Sequence, residues 1–186
     1  MLDHYLFVPS LLLVPAIVGG VLHSVAIKAG VLEWLAIPIH RRWFGANKTY
    51  RGLVIMPLGC VVGVYLTATL ELGLPPDIRT GLRGMQPAMQ LICGLCLGLG
   101  YMVFELPNSY FKRRLGIAEG MLADGAERLW FLLADQVDSV IGCLAVCYLF
   151  LDQGIRVLTA ALLLGVVAHL LVNFSLYLTG IRPRPV

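Results

Sequence analysis

Apolar residues run in five long blocks, separated by short stretches in which charge concentrates. The blocks cover about 5–27, 53–72, 85–104, 137–151 and 155–178. A helix needs roughly 20 mainly apolar residues to cross a bilayer, and four of the blocks approach that length. The fourth block is short, and its start is expected to take in Asp135 and Asp138 at the membrane edge. The pattern predicts an all-α integral membrane protein of five transmembrane helices. Pro9, Pro15, Gly19, Gly20 and Pro57 interrupt the apolar runs, which membrane helices tolerate at kinks and close contacts. Gly94 and Gly98 would allow tight helix packing. There is no internal repeat and no low-complexity tail, so residues 1–186 read as one domain. Met1-Leu2-Asp3-His4 lacks a basic stretch, so the first run is expected to be a span rather than a cleavable leader.

Composition agrees with this reading. The 186 residues are 59% hydrophobic and 13% charged, whereas a soluble domain is about 45–50% apolar and about 25% charged. The mean hydropathy is +0.84. No room for a second, soluble domain is expected within these residues. Five cysteines, Cys60, Cys93, Cys96, Cys143 and Cys147, all fall inside apolar runs. Cys93 and Cys96 form a Cys-x-x-Cys pair, but no basic or histidine neighbour in sequence would activate a thiolate. They read as small apolar packing residues.

The net charge of +3 matters less than where the charges lie. Of the fourteen Lys and Arg residues, eleven fall on one side of a five-span arrangement. They are Lys28, Arg41, Arg42, Lys48, Arg51, Lys112, Arg113, Arg114, Arg128, Arg182 and Arg184. Arg79, Arg83 and Arg156 fall on the other. The positive-inside rule then predicts an outer N-terminus and a cytoplasmic C-terminus in the cell membrane. Segments of about 28–52 and 105–135 become cytoplasmic, beside the nucleoside triphosphate pool.

Those two segments carry the candidate chemistry. Asp135 and Asp138 are three apart, which puts both carboxylates on one helix face. Mg²⁺ takes oxygen ligands, commonly one or two carboxylates plus substrate phosphates. The pair also fits a solvated helix start, where acids are favoured. Glu105, Ser109 and Lys112 share a face at spacings of four and three. Pro107 is expected to break the third span near Leu106, exposing Glu105 as a further metal ligand or as an ordinary interfacial acid. Lys112 is the phosphate candidate of Lys112-Arg113-Arg114; for Arg113 and Arg114 a purely topological role fits equally. Asn47-Lys48-Thr49-Tyr50-Arg51-Gly52 lacks the glycine spacing of a Walker motif. It still offers an ammonium, a hydroxyl and a guanidinium suited to phosphate oxygens. His169, Asn173 and Tyr177 share a face of the fifth span, as a catalytic group or as an interhelical hydrogen-bonding stripe. His23 is ambiguous in the same way, and His40 reads as solvated.

At these residues the chain resembles the CDP-archaeol synthase family, relatives of the CDP-diacylglycerol synthases. The likeness covers roughly residues 20–186. It rests on Gly45-Ala46-Asn47-Lys48-Thr49-Tyr50-Arg51-Gly52, on the run from Glu105-Leu106-Pro107-Asn108-Ser109 through Lys112-Arg113-Arg114 to Ile117 in its bacterial form, and on Asp135-Gln136-Val137-Asp138. His169, Asn173 and Tyr177 match a pattern in the last helix. The resemblance implies a five-helix enzyme that transfers a cytidylyl group from CTP to a lipid phosphate with Mg²⁺. The acceptor would be phosphatidic acid-like or an isoprenoid ether lipid, and no nucleic-acid partner is expected. Glu105, Asp135 and Asp138 would hold the metal, with Lys112, Asp135 and Asp138 the catalytic set. Asn47, Lys48, Thr49, Arg51, Ser109 and Lys112 would bind substrate, with Asn108, Arg113, His169 and Asn173 in secondary roles.

Three departures from the family pattern stand out. Glu105 replaces the more usual Asp, an Asn near Gly20 is missing, and so is an Asp near His40. They motivate an alternative, a catalytically degenerate lipid-binding or scaffold protein. A small transporter fits the spans, but transporter sites lie near the midplane, whereas these charges gather at one face.

Overall fold

The computed structural model describes residues 2–121, 125 and 127–183, and for residues 2 and 3 the backbone only. Arg184, counted above with the basic tail, lies outside these residues. The helices are α1 (Leu2–Lys28), α2 (Arg41–Phe44), α3 (Tyr50–Leu70), α4 (Pro87–Arg114), α5 (Glu127–Phe150) and α6 (Ile155–Leu178). Among the described residues, five helices are long and apolar enough to cross a membrane. α6 spans the predicted 155–178 and α1 extends the predicted run by a few residues.

Two expectations about the spans are corrected. The third span does not break at Leu106: α4 runs unbroken from Pro87 to Arg114 with Pro107 inside it. A proline removes one backbone donor, and here the turns beyond it are held from the side by bonds to α5. At about 1.5 Å per residue α4 is roughly 42 Å long, more than the ~30 Å hydrocarbon core, so its last turns stand at the interface. The fourth span is not short: α5 begins at Glu127, ten residues before the predicted start. Leu129, Trp130, Phe131, Leu132 and Leu133 supply apolar surface that Asp135 and Asp138 interrupt in the linear pattern. The two aspartates therefore lie about two and three turns inside a helix. A dipole effect fades within the first turn, so a solvated helix start does not explain them.

Apolar burial against lipid tails gives no driving force between helices, and close backbone packing has to supply it. α3 packs on both α1 and α4, α4 on α5, and α6 on α1 and α5. A Cβ added to Gly98 of α4 would lie 2.3 Å from Cα of Pro57 in α3. One added to Gly142 of α5 would lie 2.3 Å from the carbonyl oxygen of Gly100. Those contacts set the separations of α3–α4 and α4–α5. The core between the helices contains Val8, Leu12, Met56, Val64, Leu97 and Leu144. Cys60, Cys93, Cys143 and Cys147 are buried and free, as packing residues would be.

At the end of the bundle away from the motifs, Glu71 has no solvent exposure. Its carboxylate accepts from Thr80 N–H (2.7 Å), the Thr80 hydroxyl (2.5 Å) and Arg83 N–H (3.1 Å). Gln90 and Gln153 close the same turn by donating to the carbonyls of Leu82 and Thr80. Losing the acceptor strands several buried donors, each costing about 1–3 kcal/mol. Glu71→Ala is expected to lower the thermal unfolding temperature of the detergent-solubilised protein while its ligand affinities hold. Unchanged unfolding would show that the loop contributes nothing to stability.

Candidate active site

The C-terminal ends of α1, α4 and α6 and the N-terminal ends of α3 and α5 meet at one end of the bundle. Cross-links there include Lys28 to the Gly180 carbonyl (2.8 Å) and the ion pair of Lys48 with Glu105. The segment entering α3 is pinned by an antiparallel bridge of Pro38 with Thr49. Ile39 N–H donates to the Lys48 carbonyl (2.8 Å), and Tyr50 N–H to that of Ile37 (3.0 Å). This holds Asn47 and Lys48 over the bundle end. On the far side, Ala46 N–H donates to Glu119 Oε1 (2.9 Å) and ties down the connection after α4. That bond holds the exposed Glu119 carboxyl below its ordinary range.

Between α1, α4, α5 and α6 lies a cavity of about 450 Å³. Its lining is mixed. Leu13, Ala16 and Ile17 of α1, Val140 of α5 and Ala168 and Val172 of α6 supply its apolar part. Lys48, Glu105, Ser109, Lys112, Asp135 and Asp138 supply its charged and polar part.

Three acids and their partners dominate the polar part. Lys112 is only 8% exposed, and its ammonium lies 2.5 Å from each oxygen of Asp135. It also lies 5.6 Å from the centre of the Phe131 ring. The Asn108 amide donates to Asp135 Oδ1 (2.7 Å) and Asp138 Oδ2 (2.9 Å), so the two carboxylates aim at one point. Asp138 also accepts from Ser139 N–H (2.6 Å). Glu105 pairs with Lys48. An isolated buried charge is prohibitively costly, and pairing with added hydrogen bonds is what makes such groups tolerable. Among the described residues, no three His, Cys, Asp or Glu side chains form a ready metal-ligand group.

The other candidates separate cleanly. Asn47, Ser109, Arg113, His169 and Asn173 line the cavity. Arg113 has a buried Nε with no partner, whereas Arg114 is exposed and stacks on the Tyr110 ring at 5.0 Å. Arg51 is not in the lining; it is buried and pairs with Glu33 at 2.9 Å. Thr49 is not in the lining; it precedes α3 without a side-chain capping bond. Tyr177 is 41% exposed and leaves the face that His169 and Asn173 form. His23 lines the cavity from α1. His40 caps α2, accepting from Trp43 N–H at 3.2 Å.

Tyr101 and Arg182 are among the lining residues that were not read from sequence as site residues. Tyr101 lies one turn before Glu105 on the same face of α4, 3.3 Å from His169 Nε2 through its hydroxyl. That i, i+4 relation was available in the sequence. Arg182 was counted only for topology, yet it lines the cavity and donates to Asn173 Oδ1. No local pattern announces this, because a chain reversal after α6 creates it.

Fold and site together define a five-span membrane protein with paired lysines and carboxylates at one end, in a cavity lined by both polar and apolar residues. A family model described as CDP-archaeol synthase (CarS-like) matches residues 7–185. The chain is 30% identical over 151 residues to the CDP-archaeol synthase of Halobacterium salinarum, covering 78% of this chain and 77% of the relative. It is 31% identical over 151 residues to that of Methanospirillum hungatei, covering 78% and 82%. With the enzyme of Pyrobaculum arsenaticum the figures are 30% over 146 residues, covering 78% and 74%. No solved structure gives a significant match. The chain belongs to the CDP-archaeol synthase family.

Proposed function

We propose that this protein transfers a cytidylyl group from CTP to a lipid phosphate, giving a CDP-activated lipid and pyrophosphate. The observation that carries this is the cavity itself: part-buried carboxylates and ammonium groups line it together with apolar residues of α1, α5 and α6. That mixture suits a triphosphate meeting a lipid headgroup. Family membership supports the same reaction, and nothing favours a degenerate scaffold. The concentration of Lys and Arg at the cavity end supports a cytoplasmic site, with the N-terminus outside.

In this reading an oxygen of the lipid phosphate attacks the α-phosphorus of CTP. The new P–O bond forms as the bond from the α-phosphorus to the bridging oxygen breaks, and that oxygen leaves with pyrophosphate. The monoester is already an anion at neutral pH, so no strong base is needed. The protein's task is to position both substrates and offset their charge. Lys112 and Lys48 sit where they can exchange a carboxylate partner for phosphate oxygens. Ser109, one turn before Lys112, offers a hydroxyl to the same phosphates, and Asn47 an amide.

The donor set fits Mg²⁺. Asp135 and Asp138 aim oxygens at one point, and Asn108 Oδ1 beside them is buried without a partner. Hard oxygen donors of this kind suit a small divalent cation. Asp135 and Asp138 would hold it, with Glu105 as a third carboxylate once Lys48 turns to phosphate. Such an ion would supply charge neutralisation for the triphosphate and the departing pyrophosphate.

The test is an assay of purified protein in detergent with labelled CTP, Mg²⁺ and a panel of phosphatidic acids and isoprenoid ether lipid phosphates. Labelled CDP-lipid with at least one acceptor is expected, and loss of it when the metal is chelated. No product with any acceptor would overturn the reading.

A further inference from the structure

The end of α6 is built to carry a cation back into the cavity. Gly180 N–H donates to the Tyr177 carbonyl (2.9 Å) and Ile181 N–H to that of Leu176 (2.8 Å). These are the paired bonds of a Schellman turn. Gly180 has φ +68, a backbone region that side chains with a Cβ resist. Arg182 N–H adds a bond to the Leu176 carbonyl (3.0 Å). Lys28, at the end of α1, holds the Gly180 carbonyl (2.8 Å) and ties the turn to the neighbouring helix. The chain is thereby reversed beneath α6, so that Ile181, Arg182 and Pro183 line the cavity.

Arg182, like Arg113, differs from the two cavity lysines in having no carboxylate partner among the described residues. Lys48 is matched by Glu105 and Lys112 by Asp135. The Arg182 guanidinium donates instead to the neutral amide oxygen of buried Asn173, and no carboxylate among the described residues pairs with it. A guanidinium carries five N–H donors in a planar fork that matches phosphate oxygens. Its full positive charge therefore sits half-buried at the cavity with donors to spare. Its location selects the phosphate. Asn173 comes from α6 and Arg182 from the turn after it, and α6 together with α1 supplies the apolar lining residues Ala16, Ile17, Ala168 and Val172. The acids and Lys112 come from α4 and α5.

We propose that Arg182 binds the phosphomonoester of the lipid acceptor, held in place by Asn173 and the Lys28–Gly180 strap, while α4 and α5 take the triphosphate. The assignment rests on the cytidylyl-transfer reading and adds the acceptor subsite to it. One charge-assisted contact at a desolvated site is worth enough that Arg182→Gln should raise KM for the lipid phosphate about 10–100-fold. KM for CTP should stay within about twofold, because only the acceptor loses a contact. Arg182→Lys, which keeps the charge but not the fork, should fall between the two. Equal KM values for wild type and Arg182→Gln would overturn the proposal, and so would a rise confined to CTP.

A binding measurement separates this outcome from failure of the reaction itself. The full chain in detergent is heated with short-chain phosphatidic acid, with inorganic phosphate, or with CTP alone. Stabilisation by the short-chain lipid phosphate, lost in Arg182→Gln, is expected. Stabilisation that survives the substitution refutes the proposal even if the enzyme is active. Arg182-dependent stabilisation by a protein that makes no CDP-lipid would sustain the phosphate site and remove the transfer reading. A response to inorganic phosphate equal to that of the lipid would show a free-phosphate site and overturn the lipid assignment.

Discussion

Asp138→Asn is expected to lower cytidylyl transfer by about three orders of magnitude, or about 4 kcal/mol in barrier, with the protein still folded in the membrane. The substitution keeps size and shape, so packing on α5 is preserved. It removes the charge that a divalent cation would meet. It also gives the Asn108 amide, now donating to Asp138 Oδ2 at 2.9 Å, a neighbour with a donor of its own. The convergence of Asp135 and Asp138 on one point is then lost from one side. Asp135→Asn should have a comparable effect for the same reason, and it would also leave buried Lys112 without its carboxylate. Initial rates at saturating CTP and lipid phosphate, beside thermal unfolding curves, make the measurement. A decrease below about tenfold would mean that the pair serves structure rather than chemistry.

Lys112→Met should produce the second largest loss, about two to three orders of magnitude in kcat/KM, as the removal of a positioned charge-stabilising donor typically does. Methionine approximates the lysine stem, which packs near Phe131, so the apolar contact is largely retained. In the structure the ammonium neutralises Asp135. With CTP bound it would be released toward phosphate as Asp135 takes a metal. Loss of the ammonium should therefore weaken CTP binding as well as turnover, and the loss should exceed that in Arg113→Met. Arg113 lines the cavity too, but it makes no ion pair with either aspartate among the described residues. Similar kinetics for the two variants would refute a special role for Lys112.

This network explains how so much charge persists beside lipid. Each acid in the polar part accepts from a lysine or an amide. The substrates and metal would replace these internal partners one for one, so binding need not create or bury a new isolated charge. The same exchange would account for the presence of both signs in a site proposed to handle anions.

Much of this architecture is legible in the linear chain because the physics involved is local. Twenty apolar residues in a row have few alternatives to a membrane helix, since every backbone polar group must be satisfied within the segment. The spacing of Asp135 with Asp138, and of Glu105 with Ser109 and Lys112, follows from the helical repeat alone. Where the pattern misled, the cause was a local feature weighed without its surroundings. Pro107 looked like a break because its missing donor is visible in sequence, while the bonds from Asn108 and Lys112 to α5 are not. Asp135 and Asp138 made α5 look short because hydropathy counts a carboxylate the same way whether or not an ammonium and an amide neutralise it. Thr49 and Arg51 sit in the same short motif as Asn47 and Lys48, yet only Asn47 and Lys48 of these four line the cavity. The bridge of Pro38 with Thr49 and the pairing of Arg51 with Glu33 decide that, and both depend on residues outside the motif.

By itself the sequence determined the five spans, the end of the bundle at which charge collects and the helix faces that carry the acids, because each depends on composition or on a fixed helical period. Only the tertiary structure decided which charges meet. It paired Lys112 with Asp135, Lys48 with Glu105 and Arg51 with Glu33, and folded Arg182 under α6 into the cavity. Those outcomes come from close backbone contacts such as Gly98 on Pro57 and from one left-handed turn at Gly180. Such contacts join residues far apart in the chain, or reverse its direction, and no periodicity along the sequence encodes them.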